Sequence, residues 1–203
     1  MDGVAVASVV VVVAAVGAVA GGAALAAAAP PDAGKGNELM SLSRIARHLF
    51  STIWSVKRAF PARTLDAIER VIAETEARHN GQIRFAVEHA LDLGQLMAGL
   101  SARERAIEMF GRLRVWDTEH NNGVLIYLLL ADRDVEIVAD RGIHVRVGEG
   151  WESICRTMEQ QFRQGAFEAG VVSGIRAVGD LLQRHFPRDA AGANELPDRP
   201  VVL

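Results

Sequence analysis

From residue 40 onward, apolar and polar positions change period along the chain, and each period predicts an element. Leu42, Ile45, Leu49, Ile53 and Val56 recur at helical spacing and predict a helix over 41–60, packed on the domain through these residues and ended by Pro61. Thr64 is placed to cap a second helix running to about His79, with Leu65, Ile68, Ile72 and Thr75 on one face and Asn80-Gly81 as its stop. Residues 83–88 alternate apolar with polar, the pattern of a strand with one buried face, and 92–100 read as a loop with two glycines. Ser101 and Glu104 have capping-box spacing ahead of a helix to about Val115, whose inner face is Ala106, Ile107, Phe110 and Leu113. The nearly unbroken apolar run from Gly123 to Ala131 predicts a strand buried on both faces. Asp132-Arg133 closes a hairpin into a strand over 134–140, and Gly142 ends that strand. Trp151, Ile154, Cys155, Met158 and Phe162 stripe one further helix; Phe167, Val171, Ile175, Val178 and Leu182 stripe the last. Gly170 and Gly174 on it suggest close approach to the sheet.

Helices interleaved with strands must cover both faces of a sheet. The expected class is therefore α/β: an α/β/α sandwich around a small mixed sheet, with the first two strands parallel through a helical crossover and the third antiparallel through the hairpin.

Ahead of this domain the pattern disappears. Of residues 1–29, 25 are Ala, Val or Gly. Residues 4–29 carry no charge over 26 positions, longer than the roughly 20 residues that cross a bilayer. This leader has two readings: a membrane anchor, or translated sequence upstream of a start at Met40. Four segments follow: the leader at 1–39, a basic amphipathic helix at 40–62, the folded domain at 63–187, and a polar, proline-rich mobile tail at 188–203. If the leader spans, the basic residues after it place the domain on the cytoplasmic side of the inner membrane; a start at Met40 makes the protein cytoplasmic.

Charge then removes classes of function. The net charge of −3 supplies no general field for nucleic acid, so no nucleic-acid partner is expected. A single cysteine, Cys155, makes no internal disulfide and no thiolate metal site, and on an apolar helix face it reads as a small hydrophobe. The six histidines show no metal-ligand spacing. The helix at 41–60 carries Arg44, Arg47, Lys57 and Arg58 and no acid, so these four are the candidate membrane-contact residues, with membrane lipid or a membrane protein as the partner.

One dense polar cluster remains, Trp116-Asp117-Thr118-Glu119-His120-Asn121-Asn122, just before the buried strand. In a hairpin the start of one strand faces the end of the next, so Asn121 and Asn122 belong near Asp140 and Arg141. Such oxygens suit a hard cation, Ca²⁺ or Mg²⁺, and such an arginine suits phosphate. The alternative is a loop of turn formers with solvated charges.

Gly81-Gln82-Ile83 opening a strand, Trp116 before a polar loop, Asn121-Asn122-Gly123-Val124-Leu125 entering the buried strand, Asp132-Arg133, Arg141-Gly142-Ile143 and Phe-x-x-Gly-x-Phe-x-x-Gly over 162–170 together resemble the TPM domain family. That family includes thylakoid acid phosphatase-like proteins and bacterial membrane-associated relatives. The resemblance covers about 64–187. It implies divalent-cation binding and, for a plant relative, phosphatase activity; by position it makes Asp117, Asn121, Asn122 and Asp140 the candidate metal ligands and Arg141 the phosphate-binding residue. The chain differs in having the basic helix where the family often begins with an Asp-bearing strand, and Asp117 where a glycine usually follows the tryptophan. Two functions are thus expected: a membrane-associated, cation-binding domain with phosphatase activity, or a non-enzymatic membrane assembly or regulatory module.

Overall fold

The computed structural model describes residues 11–13, 42–51, 53–147, 150–188 and 193–203. In chain order the elements are β1 (Val11–Val13), α1 (Leu42–Phe50), α2 (Ile53–Ala59), α3 (Ala62–Glu76), β2 (Gln82–Glu88), α4 (Leu93–Met97), α5 (Ala102–Arg112), β3 (Gly123–Leu129), β4 (Asp134–Asp140), α6 (Arg141–Val147), α7 (Trp151–Arg163), α8 (Phe167–His185) and β5 (Val201–Val202). The strands form one sheet in the order β1-β4-β3-β2-β5. β2 and β3 are parallel and β3 and β4 antiparallel, as the sequence pattern requires.

β3 is central and every residue of it is buried, which is why its sequence lacks alternation. Its side chains feed two cores. Val124, Ile126 and Leu128 face a core built with Ile68 and Ile72 of α3, Trp151, Met158 and Phe162 of α7, and Val171, Ile175 and Leu182 of α8. Leu125, Tyr127 and Leu129 face the other, with Ala106, Met109 and Phe110 of α5. The sandwich is thus two helical layers on one sheet.

The helix expected over 41–60 is broken between α1 and α2, and α1 is inverted relative to its apolar pattern. Arg44 and His48 point inward, while Leu42, Leu49 and Phe50 are 83%, 61% and 85% exposed. The reason is Asp132 in the β3–β4 turn, which receives Arg44 Nε at 2.8 Å, Arg47 Nη2 at 3.1 Å and His48 Nε2 at 3.1 Å. His48 Nδ1 accepts from the Leu91 N–H at 2.9 Å, which places the imidazole proton on Nε2. Burial alone would raise the Asp132 carboxyl, but the hydrogen bonds from His48 and Arg44 outweigh it and hold it below the usual carboxylate range.

Several boundaries differ from expectation. Pro61, not Thr64, precedes α3, because the Thr64 hydroxyl donates to the Glu168 carboxylate. The loop at 92–100 contains α4, capped reciprocally by Asp92 and Gln95. Gly142 lies inside α6 rather than ending β4. A Cβ on Gly170 would meet the Phe162 ring at 2.5 Å and one on Gly174 the Met158 sulfur at 2.2 Å, so these glycines admit α7, not the sheet.

The segment expected as a mobile tail packs against the sheet at 193–203. Leu196 is buried, Gln82 Oε1 accepts from Glu195 N and Leu196 N at 2.8 and 3.1 Å, Arg84 donates to the Arg199 carbonyl at 2.8 Å, and β5 adds to β2 in parallel. The tail covers a sheet edge that would otherwise present unpaired backbone groups. Of the leader, Val11–Val13 pairs with β4 as the opposite edge strand; the remainder of 4–29 and the joint at 30–39 lie outside the described residues. Among the described residues no helix is long and apolar enough to cross a membrane.

Candidate functional site

The hairpin register pairs Val124 with Ala139, so the start of β3 and the end of β4 coincide. β2 begins at the same end, with Gln82 beside Gly123. The glycines let this end close. A Cβ on Gly123 would lie 2.0 Å from the Val115 carbonyl oxygen, and one on Gly142 2.5 Å from the Asn121 carbonyl oxygen and 3.1 Å from that of His120. Asn121 takes the left-handed conformation, φ 50°, which asparagine tolerates. The polar loop is thereby folded over the sheet end and against the start of α6.

Asn122 and Asp140 are brought to this end and buried, at 5% and 1% exposure. Asn122 Nδ2 donates to the Asn80 carbonyl and its backbone N–H to Thr118 Oγ1 at 3.1 Å, but its Oδ1 is buried with no partner. Asp140 Oδ1 accepts from the Arg141 N–H at 2.6 Å, and its Oδ2 is likewise buried and unpartnered. Burial pushes the Asp140 carboxyl above the usual range, against the bond from Arg141. Two buried oxygens without hydrogens to accept are costly, and their chemistry fits an oxygen-seeking cation.

The other expected residues stand differently. Asn121 contributes its backbone to the close contact with Gly142. Asp117 is exposed and its carboxylate lies 3.7 Å from Arg114 Nε, on the outer rim of the loop. Arg141 is exposed at the first position of α6. Among the described residues no three His, Cys, Asp or Glu side chains converge as a metal-binding group. Of the four basic residues, Lys57 and Arg58 are exposed and Arg47 is half-exposed, whereas Arg44 is buried on Asp132.

The α3 end of the same region holds two groups that the sequence pattern did not single out as functional. Glu76 Oε1 accepts from the Ile83 N–H at 2.6 Å; burial, reinforced by the nearby Asp198 carboxylate, pushes its pKa up to about 8. His79 Nδ1 bonds the Gly81 carbonyl at 3.1 Å, Nε2 is buried without a partner, and burial pushes its pKa down to about 4. Their only sequence signal was position at a helix end; Glu76 is buried because the distant 193–203 segment crosses it. A cavity of about 200 Å³ opens beside Glu76, lined also by Gln82, Arg188, Asn194 and Asp198.

Away from the sheet end, Glu88, Arg105 and Tyr127 form a satisfied buried network: Arg105 donates to both Glu88 oxygens at 2.9 and 2.8 Å, and the tyrosine hydroxyl to Oε2 at 2.6 Å. Arg105 Nη1 donates to Glu108 Oε2 at 2.6 Å, so every polar group of the network is satisfied within the protein, which marks it as structural. Cys155 is buried and its thiol is pushed up by burial, consistent with an unreactive hydrophobe.

The model of the TPM domain family matches residues 57–181. Among solved structures the chain is similar to the BA42 protein of the psychrophilic bacterium Bizionia argentinensis, determined by NMR, with 30% identity, a TM-score of 0.63, and coverage of 71% of this chain and 95% of that one. Comparison with the curated proteins gives no match. With more than half of its length matched, and with the glycine-closed sheet end that its motifs encode, the chain belongs to the TPM domain family.

Proposed function

We propose that the sheet end of this TPM domain binds a divalent cation, Ca²⁺ or Mg²⁺, and hydrolyses a phosphoester there. The observation that carries the reading is two buried, unpartnered oxygens at this sheet end, Asn122 Oδ1 just before β3 and Asp140 Oδ2 on the last residue of β4. Asp140 would supply the charged donor and Asn122 an amide donor, with the carbonyls of His120 and Asn121 close by. A bound cation would polarise a phosphoryl oxygen and lower the pKa of a bound water. Asp140 stays fixed because its other oxygen is tied to the Arg141 N–H at the start of α6. Arg141, exposed beside it, would hold the phosphoryl oxygens through paired N–H donors. Asp117 would join only by leaving Arg114, so it contributes less than Asp140.

Calorimetric titration of the purified chain with Ca²⁺ and with Mg²⁺, beside Asp140→Asn, Asn122→Leu and Asp117→Ala, tests this. Binding lost in Asp140→Asn, weakened in Asn122→Leu and largely kept in Asp117→Ala is the expected result. A flat trace for the folded wild type removes the cation. Binding without phosphomonoester hydrolysis in either cation removes the enzymatic half and leaves a binding module.

A further inference from the structure

A soluble domain ordinarily turns apolar residues in and charges out, and α1 does the reverse. Leu42, Leu49 and Phe50 share one side of the helix and stand in solvent, while Arg44 and His48 on the other side are locked onto Asp132. The display continues onto neighbouring elements: Trp54 of α2 is 74% exposed, and Leu93 and Met97 of α4, which packs beside α1, are 53% and 62% exposed. Contiguous exposed apolar side chains of this size mark an interaction surface. The patch is held rigidly, since the inward side of α1 is tied to the β3–β4 turn and to the Leu91 N–H.

Its charge identifies the occupant. α1 and α2 contain no Asp or Glu, and Arg47, Lys57 and Arg58 are exposed there. Lys57 Nζ lies 5.4 Å from the centre of the Trp54 ring, so cation and indole are presented together. Large apolar side chains flanked by cations, with an interfacial aromatic among them, match the headgroup boundary of an anionic bilayer. A protein groove would offer no reason for the absence of acids from α1 and α2; Asp92, at the head of α4, is engaged in capping that helix. We propose that the α1–α2–α4 face docks on an anionic lipid surface, inserting Leu42, Phe50 and Trp54 while Lys57 and Arg58 pair with lipid phosphates. This is independent of the cation site.

The test is co-sedimentation of the full chain with vesicles of mixed phosphatidylglycerol and phosphatidylcholine and of pure phosphatidylcholine, at low and high salt. The variants are Phe50→Ser/Trp54→Ser and Lys57→Glu/Arg58→Glu, all at exposed positions and checked for native circular dichroism. Expected are binding to the anionic vesicles only, its loss in the apolar variant, and weakening by salt and by the charge variant, about fivefold for each cation lost. Quenching of Trp54 by brominated lipid, read against Trp54→Phe, reports insertion directly. Salt-insensitive binding that both variants retain would assign membrane affinity to the leader and overturn the proposal. So would absence of vesicle binding, or self-association of the chain relieved by Phe50→Ser/Trp54→Ser, which would make the face a contact between copies.

Discussion

Gly123 should be among the least replaceable residues in the chain. An alanine Cβ there would sit 2.0 Å from the Val115 carbonyl oxygen and 3.0 Å from its carbonyl carbon. Relief requires about 1 Å of movement in backbone, not in a side chain. Val115 cannot yield that cheaply: its N–H donates to the Phe110 carbonyl at 3.1 Å and its side chain is fully buried in the α5 core. Nor can Gly123, which opens the central strand and is paired there with Gln82. Gly123 has no positive φ, so the cost is overpacking alone, typically 1–3 kcal/mol; because backbone opposes backbone we set it at about 3 kcal/mol. Gly111→Ala is the matched control. It sits inside α5, nothing lies within 4 Å of its added Cβ, and helix propensity should make it about 0.5–1 kcal/mol more stable. In urea, with a slope of about 2 kcal/mol per molar, the two midpoints should separate by roughly 2 M, Gly123→Ala below wild type and Gly111→Ala slightly above. A Gly123→Ala midpoint equal to wild type at unchanged slope would refute the rigidity assigned to the sheet end.

Asp132→Ala leaves Arg44 and His48 buried without their carboxylate, so a loss of about 3–5 kcal/mol is expected, with limited proteolysis appearing first around residues 50–60. Arg105→Leu leaves the buried Glu88 carboxylate with only the Tyr127 hydroxyl and should cost more in urea denaturation than Glu88→Leu, after which Arg105 still donates to Glu108. Stability should also follow pH with signs set at the end of α3. Glu76, raised to about 8, holds a proton that the unfolded chain has released, so its contribution declines as pH rises from 4.5 to 8. His79, lowered to about 4, excludes a proton that the unfolded chain binds, so its contribution declines as pH falls from 6.5 to 4. The two slopes oppose between 4.5 and 6.5, leaving a net decline above 6.5 that Glu76→Gln should remove in denaturation series.

The interior was legible because its pattern has a single physical cause. β3 reads as a two-faced buried strand since helices cover both sides, and Ser101 with Glu104 reads as a cap since both backbone bonds form, at 3.2 and 2.8 Å. That the start of β3 meets the end of β4 was legible because an antiparallel hairpin fixes which strand ends meet. What failed was everything that depends on a distant partner. The periodicity of 41–60 is amphipathic and says nothing of which side faces in; Asp132, some 80 residues later, decides that by drawing Arg44 inward. The tail is polar and short of apolar residues, yet its backbone satisfies the β2 edge, and hydrogen bonds of that kind leave no hydrophobic signature. Glu76 gave no signal for the same reason, since what buries it is the distant 193–203 segment.

The two proposed surfaces lie at opposite ends of one hairpin, and that arrangement constrains the substrate. Asp140 and Arg141 are at the closed end, where β4 finishes, and Asp132, which seats α1, is in the turn at the other end. At about 3.3 Å per residue, seven-residue strands separate the two ends by roughly 20 Å. A domain docked through Leu42, Phe50 and Trp54 would therefore hold Arg141 away from the bilayer, beyond the reach of a lipid phosphate in the same membrane. The phosphoester would have to be soluble or carried on a protein, and vesicles should leave Ca²⁺ or Mg²⁺ affinity unchanged. A cation affinity that rises when anionic vesicles are added would mean that lipid phosphate completes the coordination, and this spatial separation of docking face and site would then be wrong.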